Sequence, residues 1–205
     1  MKTAWYDEEN ITKAMAASNF AKLEDSEHFS SLKQCFNELT KIEDKKYSIL
    51  DLGCGSGELG RVMNEHNYTG VDLPHVIDKV AKIKNPQNNY FYFDANKNNF
   101  DFLKNYDVII MNSFLSEMPN WYVILSKILL NAKKFIIIHR QDMTEKNSFL
   151  RDYKTYGGLT TINTFINISD FEKLITFNNF KINLNINSFK NNNTKKTFLL
   201  SKKEC

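Results

Sequence analysis

The sequence lacks the features that mark most specialised classes of protein. It has three cysteines, and Cys35, Cys54 and Cys205 lie far apart, with no CxxC spacing and no neighbouring histidine. That excludes a disulfide framework and a zinc site and fits a reduced, cytoplasmic protein. No stretch approaches the roughly 18 uninterrupted apolar residues of a membrane span. The opening residues, Met1 to Glu9, turn acidic at once instead of building the apolar core of an export signal, so neither a membrane partner nor export is expected. Charge of one sign is also missing: 27 basic residues against 24 acidic leave +3, scattered along the chain, and a nucleic-acid partner is not expected. There is no internal repeat and no linker, so residues 1–205 are read as a single domain, monomeric or homodimeric. The asparagine tracts Asn96-Lys97-Asn98-Asn99 and Asn191-Asn192-Asn193 are read as compositional drift.

What is present is an alternation of two periodicities. Ile11 to Phe20 and Ser30 to Thr40 carry apolar residues at helical spacing. Then come the short apolar runs Tyr47 to Leu52, Tyr68 to Asp72, Tyr90 to Asp94, Asp107 to Asn112 and Phe135 to Ile138, without polar alternation, as in strands buried on both faces. Helical stretches separate them at Glu58 to Glu65, His75 to Lys84, Phe100 to Lys104 and Trp121 to Leu130. The pattern loosens from Thr144 to Ile168, around Gly157-Gly158, before Ser169-Asp170-Phe171-Glu172 opens another helix. Lys181 to Phe189 and Lys195 to Leu200 are separated by a gap too short for a crossover helix, so they should pair antiparallel. The expected fold is α/β: a three-layer sandwich around a seven-stranded, mostly parallel sheet with an antiparallel last strand.

The first strand runs into Asp51-Leu52-Gly53-Cys54-Gly55-Ser56-Gly57 and then a helix. Glycines at such a junction let the chain turn sharply and let a ligand meet bare backbone. In an open parallel sheet the ligand crevice lies beyond the carboxyl ends of the strands, which is where Asp51, Asp72 and Asp94 fall. Cys54 is read as a small residue that fits the turn. Gly55-x-Gly57-x-x-Gly60 also satisfies the dinucleotide pattern, which keeps an NAD-dependent oxidoreductase as an alternative at this point.

Ile49-Leu50-Asp51-Leu52-Gly53-Cys54-Gly55-Ser56-Gly57 closely resembles motif I of the class I S-adenosylmethionine-dependent methyltransferases: two apolar residues, an acid, an apolar residue, then Gly-x-Gly-x-Gly. The resemblance extends to Gly70-Val71-Asp72-Leu73, Phe93-Asp94-Ala95, and Tyr106 to Ile109 with Asn112-Ser113-Phe114-Leu115, and covers roughly Tyr47 to the end. It implies a Rossmann-like fold and S-adenosylmethionine as cofactor. It further implies that Gly53, Gly55 and Gly57 line the amino-acid end of that cofactor with Asp51 orienting it. Asp72 would accept from the ribose hydroxyls, Leu73 would pack on the adenine, Asp94 and the Ala95 backbone would read the adenine edge, and Asn112, Ser113 and Phe114 would flank the methionine part. Asp107 should lie away from the cleft.

Methyl transfer chiefly requires alignment, with a base needed only for a hydroxyl or protonated-amine acceptor. His139, at the end of Phe135 to Ile138, is a candidate base, its rival role being a structural histidine that caps the strand; Glu117 is a second candidate, as base or acceptor contact. Arg140 suits an anionic acceptor group or the ordinary surface equally. Acceptor choice is expected from the N-terminal helical cap, residues 1–45, and the insertion, residues 144–168. Trp5, Tyr6, Tyr153 and Tyr156 there are read either as an acceptor-binding lid or as ordinary packing. Asn-Pro-Pro-Tyr is absent, and so are the paired acids of magnesium-dependent catechol-type enzymes, so no metal is expected. The expected activity is methylation of a small-molecule acceptor, on oxygen of a sugar, sugar nucleotide or related bacterial glycan or secondary-metabolite intermediate. An RNA or protein acceptor is the alternative, as is a non-catalytic module.

Overall fold

Strands that are apolar on both sides need cover on both faces, and the computed structural model, which describes residues 3–18 and 22–203, provides it. Ser48–Leu52 (β1), Asn67–Asp72 (β2), Asn89–Tyr92 (β3), Val108–Asn112 (β4) and Phe135–Thr144 (β5) are parallel, in spatial order β3-β2-β1-β4-β5. Beyond β5 the direction reverses: Asn192–Lys202 (β9) pairs antiparallel with β5, and Phe180–Phe189 (β8) pairs antiparallel with β9. These seven strands are the expected sheet, reversed strand included. Phe149–Lys154 (β6) and Thr160–Asn167 (β7) form an antiparallel hairpin joined to the far end of β5, bringing the sheet to nine strands. The hairpin escapes a periodicity search because all six residues of β6 are exposed, while β7 buries Thr161, Asn163 and Thr164 alongside its apolar residues.

The side-chain period of two sorts the sheet into two cores. Leu50, Leu52, Ile109, Met111, Ile136, Ile138, Phe198 and Leu200 face the helices Trp121–Asn131 (α6) and Ile168–Phe177 (α7). Ile49, Val108, Ile110, Ile137 and Leu199 face Phe29–Ile42 (α2) and Glu58–Val62 (α3). α3 is shorter than its expected span because the chain leaves the helix at Met63. The expected helix 75–84 is Pro74–Val76 (α4), a π turn Ile77–Ala81 and Lys82–Lys84 (α5). Glu8–Ala17 (α1) is capped by Asp7, whose side chain accepts from the Asn10 N–H; the last positions of its expected span, Asn19 and Phe20, lie outside the described residues, as does Cys205. α1 lays Ile11 and Met15 on Val76 and Val80.

At the opposite edge from the strand ends just named, Asp107 accepts from the Ser48 N–H at 3.2 Å and pairs with Lys133 at 2.9 Å, stitching β1 to β4 away from the cleft as expected. Burial opposes its charge, but Lys133 and Ser48 outweigh that and hold its pKa down to about 2.

Phe198 is fully buried in β9 with its ring 4.8 Å from that of Phe171. Phe198→Ala should cost about 3–5 kcal/mol, the range for truncating a buried aromatic. Urea denaturation measures it, and a loss below about 1 kcal/mol would contradict this packing.

Candidate active site

At the end of β1 the chain turns through Gly53 (φ 79°), Gly55 (φ 55°) and Gly57 (φ 77°), left-handed conformations that other residues adopt with strain. The Gly53 and Cys54 N–H groups both donate to the Val71 carbonyl, at 2.9 and 3.0 Å. A Cβ on Gly57 would come 2.1 Å from the Tyr90 hydroxyl, whereas one on Gly55 would meet nothing nearer than the Met15 methyl at 3.6 Å. Gly57 is therefore small in order to seat α3, and Gly55 presents its bare face to open space.

Asp72 holds this turn: its Oδ2 accepts from the Gly55 N–H at 2.9 Å and its Oδ1 from the Leu73 N–H at 2.7 Å. Burial outweighs those bonds and pushes its pKa up to about 6. Asp51 is buried deeper. Its Oδ2 accepts from the Tyr68 hydroxyl at 2.8 Å, while Oδ1 is buried with no hydrogen-bond partner. Burial, with the Asp72 charge added and Tyr68 working against it, pushes this carboxyl up to about 7. Asp94 differs. Its Oδ1 accepts from the Tyr6 hydroxyl at 2.9 Å and the Asn96 N–H at 3.0 Å, and Oδ2 pairs with Lys97 at 3.1 Å. Burial raises its pKa, but the Asn96 N–H, Tyr6 and Lys97 together bring it below the ordinary value.

These groups open into one cavity of about 1190 Å³ beyond the ends of the parallel strands. Asp51, Gly53, Gly55, Asp72, Leu73, Asp94, Ala95, Asn112, Ser113 and Phe114 line it, as do Glu117, Arg140, Trp5, Tyr6, Tyr153 and Tyr156. Gly57 does not: its place is at the start of α3, against Tyr90. Tyr6, expected beside the acceptor, lines the cavity and donates its hydroxyl to Asp94. Trp5 meets Tyr156 edge-on, ring centres 6.2 Å apart, and both pack with Leu73 against α1. The N-terminal segment and the hairpin tip thus meet at the cavity wall.

His139 is corrected more sharply. It is fully buried and absent from the cavity wall, with Nε2 3.0 Å from His28 Nδ1 and Nδ1 2.8 Å from Thr197 Oγ1. A β5 residue facing β9 and α2 reaches the helix layer, not the crevice. The histidine that does line the cavity is His28, just before α2; 111 residues separate the two, and no local pattern marks it. Burial, then the Arg140 charge, press the His28 pKa down to about 4, and those causes with His28 itself press His139 well below neutrality. Both rings are neutral at physiological pH. Glu117 lines the cavity, accepts from the Thr161 hydroxyl at 2.9 Å, and has its pKa raised by burial against the pull of Trp5 and Thr161. Thr161 and Asn163, from the hairpin, join the site without any sequence signal.

The family model described as a methyltransferase domain matches residues 25–183 of the 205. The chain belongs to the methyltransferase domain family. This methyltransferase shares its fold with solved structures of low identity. Magnesium protoporphyrin IX methyltransferase from Synechocystis, with bound S-adenosylhomocysteine, is 12% identical at a TM-score of 0.68, with 96% of each chain covered. An amino pentose methyltransferase from Micromonospora echinaspora, with bound S-adenosylmethionine, is 8% identical at 0.65, covering 94% of this chain and 95% of that one. A SAM-dependent methyltransferase from Methanosarcina mazei is 17% identical at 0.61, covering 77% of this chain and 93% of that one. No curated protein matches the sequence. Among the described residues of the methyltransferase no helix is long and apolar enough to cross a membrane, and no group of three or more His, Cys, Asp or Glu is placed to hold a metal ion.

Because the folded pKa of Asp51 stands above its usual 3.8, the neutral form belongs to the fold. The stability it contributes is complete below about pH 4 and lost as pH rises through about 7. Tyr68→Phe removes the one bond that favours ionisation, so the loss should extend to higher pH and the variant should be about 1–3 kcal/mol less stable at pH 8. Denaturant midpoints of both proteins at pH 5 and pH 8 test this; parallel pH dependence would contradict it.

Proposed function

We propose that this methyltransferase binds S-adenosylmethionine at the β1–β3 end of the cavity and methylates a small molecule at the β4–β5 end. The observation that carries the reading is the buried, partnerless Asp51 Oδ1 in the same cavity wall as the open face of Gly55. A carboxyl that burial raises to about 7, with one oxygen unfilled, suits a ligand that brings its own ammonium group to that point and favours the ionised form. The Asp72 oxygens each accept one N–H and keep acceptor capacity for a pair of ribose hydroxyls. Leu73 and Ala95 would border the adenine, with Asp94 at its edge, already engaged by Tyr6, Asn96 and Lys97. Asn112, Ser113 and Phe114 would flank the methionine part. When bound, S-adenosylmethionine supplies an electrophilic methyl group.

The chain's own residues supply alignment, water exclusion and a base. The N-terminal segment, within residues 1–45, and the insertion 144–168 close over the acceptor end through Trp5 and Tyr156. Glu117, its pKa raised by burial, takes the proton of a hydroxyl or ammonium acceptor as the bond to carbon forms. A cavity of about 1190 Å³ accommodates the donor and one compact second ligand, which favours a small molecule over an RNA or protein chain. An oxygen acceptor on a sugar, sugar nucleotide or related metabolite fits the polar and aromatic wall.

Calorimetry with S-adenosylmethionine and S-adenosylhomocysteine tests the donor assignment. Both should bind, and Asp72→Ala should weaken them by roughly two orders of magnitude, the worth of one or two charge-assisted hydrogen bonds. Glu117→Gln should leave donor affinity within about twofold yet slow methyl transfer to a hydroxyl or amine, found by screening with labelled donor, by about 10²- to 10⁴-fold. No binding of either nucleoside to the folded protein would sink the proposal.

A further inference from the structure

We infer that the acceptor carries a carboxylate or phosphate, and that Arg140 binds it at the β5 end of the cavity; the inference rests on the β1–β3 end taking the methyl donor. Arg140 stands where the pairing of β5 with β9 breaks, between Ile138 and Gln141, and has a left-handed backbone (φ 59°). Ser113, at the adjacent end of β4, is left-handed too (φ 58°). Strain at two neighbouring points, the break within β5 and the end of β4, marks places where the backbone is bent to aim side chains at a ligand. At Arg140 the break releases the side chain from the alternation that buries His139 and Gln141, and it lines the cavity.

Every protein partner of the guanidinium is neutral. Nε donates to Asn112 Oδ1 at 2.8 Å, and Nη1 lies 3.4 Å from His28 Nε2. A guanidinium can only donate, so His28 Nε2 accepts and its proton sits on Nδ1, where it is given to His139 Nε2 at 3.0 Å. His139 Nδ1 then donates to Thr197 Oγ1 at 2.8 Å. Thr197 passes its own proton to Ser31 at 3.0 Å and accepts that of Ser188 at 2.9 Å, and Ser31 donates to the His28 carbonyl at 2.8 Å. The chain closes on itself with every hydrogen placed and holds His28 in the form that steadies Arg140 without cancelling its charge. Among the described residues no carboxylate pairs with Arg140. The other cavity cations differ: Lys195 pairs with Asp142 at 2.7 Å and Lys97 with Asp94 at 3.1 Å, while Lys154, bonded to the Thr160 hydroxyl at 2.6 Å, is exposed to solvent.

A mostly buried cation without a counter-charge is costly unless a ligand supplies one, and the planar fork of arginine matches the oxygens of carboxylate and phosphate. Location separates this charge from the donor. In the order β1-β4-β5 it lies two strands from the glycine turn, about 10 Å at ordinary strand spacing, and on the side away from Asp72 and Asp94. The phenols of Tyr156 and Tyr153, from the hairpin and its tip, are the acidic groups that act on it electrostatically. An anion held there lies under the aromatic wall of the added elements, where the acceptor enters.

The test saturates the protein with S-adenosylhomocysteine and titrates it with benzoate and, separately, inorganic phosphate. The arginine Nε–Hε resonances are followed by NMR, that of Arg140 being identified by its loss in Arg140→Gln. One probe or both should shift the Arg140 signal saturably, and the stronger binder tells carboxylate from phosphate. Binding should weaken at least tenfold in Arg140→Gln and by less in Arg140→Lys, while S-adenosylhomocysteine affinity stays within about twofold in both. Absence of binding by either anion, or equal binding by Arg140→Gln, overturns the inference. So does a parallel fall in S-adenosylhomocysteine affinity, which would assign Arg140 to the donor's own carboxylate. Failure of S-adenosylhomocysteine to bind the unaltered protein overturns the donor reading and this inference together, and is seen before any anion is added.

Discussion

The Asp72 carboxylate grips the N–H groups of Gly55 and Leu73, and the cavity takes its shape from that grip. One bond fixes the glycine turn beyond β1, and the other fixes the chain entering α4, so the ends of two neighbouring strands are set by a single side chain. Hydrogen bonds to a charged group contribute about 1.5–3 kcal/mol each, and here they act against a burial penalty large enough to lift the acid to about 6. The turn is thereby rigid while its acid stays ready to exchange solvent for ligand. Asp51, one strand over, is the complementary case: a single bond from Tyr68, an unfilled oxygen, and a pKa near neutrality.

The cavity is polarised along the sheet. Asp51, Asp72 and Asp94 lie near the ends of three adjacent strands on one side, and Arg140 sits at the break in β5 pairing on the other, with Glu117 beside the hairpin. The acidic side is built by the turn and strands of the doubly wound core. The other side is completed by elements added to it, His28 ahead of α2 and the β6–β7 hairpin, and the segment before α1 reaches both sides, Tyr6 to Asp94 and Trp5 to Tyr156. The proposed function divides donor and acceptor binding between the core and the elements added to it, consistent with folds hosting different chemistries through their additions.

How much of this could be read from the sequence follows the range of the interactions. The strand, turn and helix around Gly53, and the acids closing the next two strands, are local arrangements, and their spacing places them in the cavity. The reversal of β9 is equally legible, because the five residues between Phe189 and Lys195 leave no room for a crossover. His139 was misplaced because a run such as Phe135 to Ile138 shows that a strand is buried without showing which face its next residue takes. His28 was missed because its role is made by Arg140 and His139, more than a hundred residues away. Tyr6 binds Asp94 across 88 residues, and Gly57 is held small by Tyr90 rather than by a ligand. The hairpin was taken for loose chain because β6 has no buried face to impose alternation.

The buried acids at the donor end are the centre of the account, and their protonation reports directly on what fills it. Calorimetric titration with S-adenosylhomocysteine in buffers of different ionisation enthalpy, at pH 6 and at pH 8, counts the protons exchanged on binding. An ammonium reaching Asp51 and hydroxyls reaching Asp72 both favour the ionised carboxylates, so binding at pH 6 should release protons to the buffer and binding at pH 8 should release far fewer. Equal heats in every buffer at pH 6 would mean that neither acid changes state, and would contradict the account.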